Sequence, residues 1–435
     1  MKAKGGTKEY KTGGWSAHYI LIICSLLYMV NYMDRQVLAS VLQMMKVDLG
    51  LSETQLGILN TAFLLSIAFF SVPVSFMVDR WSRRKAVGFM ALFWSIFTYL
   101  TGMGRSFATV LIPRALVGVG ESGFSAGGTA LITAAYDPAK RGRTLSVFNL
   151  VIPLGAALGM IVGGKIATVT GDWSRPFFIF AIPGIILGIL ALFMKDYKTV
   201  HELDKAGKRT GFFKSAASLF KIPSLKWMYI GYGVRNIMNF SVLMWLSAYL
   251  MRAHDIAADK AGGIVGAIMM MAIIGALLGG FLADSWQKKN RKARMLLPVI
   301  GDSLAAIVLI IALFLEFKGA GFYIGLLWGA LVMLGTPALN AVSQDVVTPG
   351  LKGTSWGMAV FCMYVFGGGW APLLVGVISD AFITSFGFTD IVSLQSALYI
   401  MACSGFVASI ILFVGSRSYP ADMDKVKGAK LQSEK

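Results

Sequence analysis

Residues 75–85 read SFMVDRWSRRK and residues 279–292 read GGFLADSWQKKNRK, and the likeness of these two stretches decides the architecture. Each is the end of an apolar run, followed by an aspartate and a knot of basic residues. Asp284 follows Asp79 by 205 residues. A second pair, YDPAKRGRT at 136–144 and VTPGLKGTS at 347–355, sets Pro349 211 residues after Pro138. Two repeats at nearly one offset, each lying between apolar runs, indicate a chain of two related halves. Parallel repeats of this kind place a binding site between the halves, near the bilayer midplane.

The runs around these motifs are of membrane-spanning length. Of 435 residues, 56% are hydrophobic and 14% charged, and the mean hydropathy is +0.68. A soluble chain of this size needs more polar surface to cover its core. A bilayer-crossing helix takes about 20 apolar residues. Such runs fall at 17–45, 53–78, 86–104, 108–136, 143–169 and 175–194, then at 224–251, 260–284, 294–316, 320–346, 353–383 and 391–415. The fold expected is an all-α membrane protein of twelve transmembrane helices in two six-helix halves, residues 1–194 and 224–435. A polar cytoplasmic linker, 195–223, joins them. The span at 353–383 is long enough to be tilted or kinked near Gly367, Gly368, Gly369 and Pro372. The lysines before the first apolar run resemble a signal peptide, but Asp34 and Arg35 interrupt the run, which reads as a retained helix.

Loop charges orient the chain. Arg80, Arg83, Arg84 and Lys85, then Lys140, Arg141 and Arg143, then Lys288, Lys289, Arg291, Lys292 and Arg294 share one side. The opposite loops are sparse or mixed, with Lys46, Asp48, Glu53, Arg105, Asp172, Arg175, Arg252, Asp255, Asp259 and Lys260. The positive-inside rule puts both termini in the cytoplasm. This asymmetry also accounts for the net charge of +18 without a nucleic-acid partner.

Charges inside spans are costly and mark function. Asp34 and Arg35 fall in the middle of the first span, and Arg114 and Glu121 fall seven residues apart in the fourth. Seven residues are about two turns, so Arg114 and Glu121 share a face. Burial favours a neutral acid and a nearby guanidinium favours a carboxylate, so Asp34 and Glu121 suit a protonation site. A static ion-pair network among the four that merely fixes helix packing is the competing reading. In the second half, Arg235 is the one comparable charge noted. With Asn236, Asn239, Asn340 and Gln344 it suits either a cavity wall or interhelical hydrogen bonding. Asp79, at the end of the second span, faces a helix dipole that disfavours it. Arg80, Arg83 and Arg84 can neutralise it, and a contact to a nearby helix N-terminus would form in one state and break in another. Asp284 repeats the arrangement, so the set reads as conformational gating.

Other features carry less. Gly155, Gly159 and Gly163 make a small-residue stripe that admits a close helix neighbour. Phe124, Trp245, Tyr249, Phe361 and Tyr364 suit either an amphiphile pocket or ordinary packing. Cys24, Cys362 and Cys403 have no metal-ligand spacing, and His18, His201 and His254 pair with no other ligand. No nucleotide-binding loop and no nucleophile–base arrangement is present. Neither an enzyme nor a cofactor is expected.

The VDRWSRRK stretch resembles the loop 2–3 motif of the Major Facilitator Superfamily, with Asp79, Arg80, Arg83 and Arg84 in the expected places. Ser75 and Ser82 stand where that motif usually has glycine. Within the superfamily, NYMDR (31–35), RALVGVGES (114–122), LSVFNLVIPLGAALGMIVGG (145–164) and MWLSAYLMR (244–252) resemble bacterial Spinster-like transporters. That resemblance implies a monomer in the cell inner membrane, coupling protons at Asp34 and Glu121. Arg35 and Arg114 would belong to the same central network, and Arg235, Asn236 and Asn239 would join Arg35 and Arg114 in meeting a small-molecule or lipid-like anionic substrate such as a lysophospholipid. NYMDR and the Arg114–Glu121 spacing equally resemble the anion:cation symporters, which carry sugar acids and small carboxylates. A transporter-like receptor that binds without translocating is the alternative of another class.

Overall fold

The computed structural model describes residues 13–196, 217–348 and 351–433, and these are helical almost throughout. The first group of helices is Gly14–Leu49, Glu53–Arg80, Arg83–Met103, a broken fourth span (Phe107–Glu121 and Phe124–Ala135), Pro138–Thr170 and Arg175–Ala191. The second group is Pro223–His254, Ala258–Gln287, Ala293–Phe314, a broken tenth span (Ala320–Leu334 and Thr336–Asp345), an eleventh (Lys352–Met363 and Ala371–Phe386) and a twelfth (Asp390–Ala402 and Ser404–Ser416). A last helix, Tyr419–Ser433, follows. Among the described residues, ten helices are long and apolar enough to cross a membrane. Arg175–Ala191 is apolar but shorter, and Pro223–His254, which carries Arg235, Asn236 and Asn239 in mid-helix, is not among the ten. Leu277, Phe281 and Ile410 are each about two-thirds exposed or more, as a lipid-facing belt requires. Most of the 195–223 linker lies outside the described residues.

Two interruptions matter for the site. Sequence reading treats 108–136 as one span, but the helix stops at Glu121 and restarts at Phe124 across Ser122 and Gly123. A side chain at Gly123 would meet Val74 Cγ1 at 2.4 Å, so the break also lets the second span come close. In the eleventh span the expected kink takes the form of a π-helix, Tyr364–Gly368, with Gly369 N–H donating to the Tyr364 carbonyl at 2.9 Å.

Glycine sets the helix spacing in the first group. A Cβ at Gly155 would lie 2.4 Å from the Met29 carbonyl, at Gly159 2.6 Å from the Met33 carbonyl, and at Gly163 2.6 Å from Ser40 Oγ. The expected stripe therefore seats the first span against the fifth. Each residue turns a helix by 100°, so Asp34, one place beyond Met33, points away from that seam, toward the third span.

The two groups meet tightly at one end only. At the end bearing the 50–52 turn, one apolar cluster runs through both groups, from Val37, Leu42 and Leu59 to Trp245, Val265 and Val375. At the other end the core is divided. One part surrounds Trp94, Phe124 and Phe148, and the other surrounds Tyr229, Leu412 and Tyr419. The closed end is made by backbones: a Cβ at Gly57 would sit 2.5 Å from the Pro372 carbonyl, and one at Gly376 2.3 Å from the Glu53 carbonyl. Gly376→Val should therefore hold this end apart. Spin labels on cysteines replacing Val47 and Phe388, both exposed beside the seam, should report a longer distance than in the parent protein; an unchanged distance would show that the seam can give.

Candidate functional site: a central charge junction

The first, third and fourth spans converge on four charges. Asp34 and Arg114 are fully buried and Glu121 nearly so. Arg35 Nε donates to Glu121 Oε2 at 2.8 Å. Glu121 is the last residue of its helix, where the dipole disfavours a carboxylate, and Arg35 offsets that cost. Arg114 makes no pair with a carboxylate among the described residues. Its guanidinium donates instead to the main-chain carbonyls of Asp34 at 3.2 Å and Arg35 at 3.3 Å, and lies 4.2 Å above the Phe63 ring. Arg114 thus fixes the backbone that carries Asp34 and Arg35. The four charges form one junction, but not the mutually paired set that sequence spacing suggests.

Satisfaction in this junction is incomplete. Asp34 Oδ2 accepts from the Thr98 hydroxyl at 3.3 Å. Asp34 Oδ1, Glu121 Oε1, Arg114 Nε and both amide atoms of Asn31 are buried with no hydrogen-bond partner among the described residues. Buried polar atoms are normally paired, by protein or by ordered water. A junction with several spare donors and acceptors can take up a proton or rearrange without being rebuilt. Arg35 also faces the other group, with its guanidinium 4.6 Å from the Tyr32 ring centroid and Nη1 3.5 Å from the Tyr364 hydroxyl.

The second half holds a different kind of charge. Arg235 is not the lone central charge there, because the ninth span brings Asp302 against it. Arg235 Nε lies 3.0 Å from both Asp302 oxygens, Nη1 donates to Thr336 Oγ1 at 3.0 Å and Nη2 to the Val332 carbonyl at 2.6 Å. The guanidinium is spent on the seventh, ninth and tenth spans. Asn236 donates to the Tyr232 carbonyl one turn back at 2.7 Å, and Asn239 Nδ2 lies 3.5 Å from Asn236 Oδ1. Phe124, Trp245 and Tyr249 are packed in the core.

Of the basic-loop residues, the side chains of Asp79 and Arg80 lie outside the described residues. Arg83 and Arg84 donate to the carbonyls of Ala130 and Met194 at 3.4 and 3.2 Å. Asp284 is bound by Arg294 at 2.7 Å, and Arg294 also binds Asp345 at 2.7 Å. Tyr419 of the last helix donates to that same Asp345 carboxylate.

Sequence reading treats Lys46, Glu53 and Arg252 as loop charges, and this is where it misses most. Glu53 is fully buried at the closed end. Its Oε1 accepts from Lys46 at 2.6 Å and from Arg252, across the seam, at 2.7 Å. Arg252 Nε donates to Gln43 at 2.6 Å, and Lys46 reaches Asp390 of the other half at 2.7 Å. Asp380 of the eleventh span caps the second, accepting from the backbone N–H groups of Glu53 at 3.2 Å and Thr54 at 2.8 Å. The signal in the sequence is that loops 1–2 and 7–8, equivalent in the repeat, each set a basic residue where one helix ends (Lys46, Arg252) and an acidic one where the next begins (Glu53, Asp259).

Residues 24–372 match the family model described as Major Facilitator Superfamily. Protein spinster homolog 1 of Xenopus tropicalis is 26% identical over 431 residues, covering 94% of this chain and 82% of its own. Sphingosine-1-phosphate transporter SPNS2 of Mus musculus is 26% identical over 379 residues, covering 82% of this chain and 69% of its own. Among solved structures, a bacterial homolog of the human lysosomal transporter Spinster, inward-facing and unoccupied, superposes with a TM-score of 0.84 at 20% identity, covering 94% of this chain and 99% of that one. A D-xylose–proton symporter shares the fold, with a TM-score of 0.71 at 15% identity, covering 91% and 97%. The chain belongs to the Major Facilitator Superfamily and is a multi-pass membrane transporter.

Removing one partner of a buried ion pair costs about 3–5 kcal/mol, and the Glu53–Arg252 pair exists only while the seam is shut. Arg252→Met should therefore populate the form open at this end, read as faster labelling of a cysteine at Thr61 by a membrane-impermeant maleimide. Arg252→Lys, which keeps a cation beside Glu53, should label nearly as slowly as the parent. If Arg252→Met labels no faster than the parent, the cluster does not hold the seam.

Proposed function

We propose that this superfamily member is a proton-coupled transporter of an amphiphilic anion, such as a lysophospholipid, working by alternating access in the cell inner membrane. The observation that carries the reading is the central junction: two buried carboxylates, of which Glu121 has an ion pair and Asp34 has none among the described residues. A buried carboxylate without a counter-charge is expensive, whereas its neutral acid needs only hydrogen bonds. Asp34, held by the Thr98 hydroxyl, is therefore the proton carrier in this arrangement, and Glu121 is the charged partner of Arg35.

The cycle follows from that inventory. The halves, residues 1–194 and 224–435, rock about the midplane, joined by the 195–223 linker. The loops rich in Arg and Lys lie opposite the Glu53 cluster, so the positive-inside rule makes the closed end the outer one and leaves the site open to the cytoplasm. An anionic headgroup entering there competes with Glu121 for the Arg35 guanidinium. Glu121 then takes up a proton instead of remaining an unpaired buried charge, and transport of the anion is tied to movement of a proton. Arg114 keeps the Asp34–Arg35 segment in place through its carbonyl contacts. Arg235, saturated by Asp302, serves this cycle as a brace of the second half, while Asn236 and Asn239 are buried on the same helix. The similarity to Spinster proteins, one of which is named a sphingosine-1-phosphate transporter, supports a lipid-like substrate over a sugar acid.

The test is flux in proteoliposomes under an imposed pH gradient, with sphingosine-1-phosphate, a lysophospholipid and a panel of small organic acids. Glu121→Gln should abolish proton-driven accumulation, a loss of about tenfold or more, and should leave exchange measurable. Asp34→Asn should behave likewise. Accumulation with a normal pH dependence in Glu121→Gln would sink the coupling assignment, and accumulation of the organic acids alone would sink the substrate class. Binding without any flux would make the protein a receptor.

A further inference from the structure

Tyr364 belongs to the eleventh span by sequence and to the first half by packing. It opens the π-helix of the eleventh span, yet its side chain, 5% exposed, packs in the apolar cluster of the first half around Trp94 and Phe124. Its hydroxyl lies 3.5 Å from Arg35 Nη1, and its ring lies 5.8 Å from that of Phe240 on the seventh span. It is a second-half residue seated in the first half, sixteen residues before Asp380, the eleventh-span member of the Glu53 cluster.

Its position is set by backbone. A Cβ at Gly367 would lie 2.2 Å from the Gly233 carbonyl, and one at Gly233 2.9 Å from the Cys362 carbonyl, so the π segment is pressed against the seventh span. π-helical turns hold one residue more than α turns and recur at functional sites. Return to regular α spacing would turn Tyr364 by about 100° and withdraw its hydroxyl from Arg35.

The Arg35 guanidinium thus sits between two oxygens, the Glu121 carboxylate of its own half and the Tyr364 phenol of the other. When Glu121 is charged, Arg35 Nε is held on it at 2.8 Å. When Glu121 is neutral, the charge that anchors Arg35 is lost and only a weaker neutral acceptor remains there, so the phenol oxygen 3.5 Å away competes for the cation. We propose that Tyr364 is the positioning residue through which the protonation state at Glu121 changes the grip between the first and eleventh spans. The inference rests on the reading of Glu121 as a protonation site, and couples that site to a two-state element in the sense that any linkage requires.

Tyr364→Phe keeps the ring and its packing and removes only the oxygen. In proteoliposomes, proton-driven accumulation of sphingosine-1-phosphate by this variant should fall about fivefold or more, the lower end of an ordinary coupling. Its counterflow without a gradient should stay within about twofold of the parent, well short of that coupling. Spin-label distances between the halves, recorded against pH, should respond in the parent and lose that response in Tyr364→Phe. A pH response of parental amplitude together with parental accumulation overturns the inference. Glu121→Gln separates the two claims: if it keeps a normal pH response, the coupling assignment itself fails, and if it is pH-blind while Tyr364→Phe is normal, only the role of Tyr364 fails. Should Tyr364→Phe not fold, Tyr364→Trp carries the same test, because indole fills the ring site and can donate but not accept.

Discussion

A charge inside a bilayer must find a counter-charge or a dense set of hydrogen bonds, and this chain meets that demand in three places and in three ways. Arg235 and Asp302 satisfy one another and spend the remaining guanidinium donors on Thr336 and Val332. Glu53 is as fully engaged, but half of its engagement comes from Arg252 in the other half of the molecule. The junction around Arg35 is paired only in part. A saturated site within one half can only brace. A saturated site between halves holds as long as the halves touch. An undersatisfied site has somewhere else to go. In the proposed cycle these three degrees of satisfaction would serve as brace, latch and switch.

The glycines make this division possible. With Gly155, Gly159 and Gly163 against the first span, and Gly57 and Gly376 across the seam, helices approach until main chain meets main chain. Van der Waals packing of this kind stands in for the hydrophobic drive that lipid does not supply. It also presents the Asn31–Arg35 turn to the third and fourth spans at a fixed rotation. A larger residue in the stripe would push the first span out and move Asp34 away from Thr98 without touching either.

The legible parts of the sequence were those whose signal is local. Asp34, Arg35, Arg114 and Glu121 stand out because each breaks an apolar run, and the Asp79 and Asp284 loops because they repeat. Asp302 breaks an apolar run too, so its signal was present, but its meaning depends on Arg235, which stands 67 positions before it. Glu53 and Arg252 lie at helix ends, where charge is cheap and ordinary, and only a contact across 199 positions buries them. Spacing also misjudges Arg114. It shares a helix face with Glu121, but it serves main-chain carbonyls, and no residue-type pattern encodes an acceptor that every residue possesses. The stop at Ser122 and Gly123 falls in a run that remains apolar on both sides, so hydropathy passes over it.

The cluster around Glu53 draws on Lys46, Gln43, Arg252 and Asp390. Of its three ion pairs, Lys46–Glu53 lies within one half, while Glu53–Arg252 and Lys46–Asp390 join one half to the other, so only the approach of the halves completes the set. Buried pairs are screened far less by salt than exposed ones. The Glu53–Arg252 pair at the centre of the seal is therefore little weakened by ions in the medium, in contrast to the half-exposed Lys46–Asp390 pair at its rim.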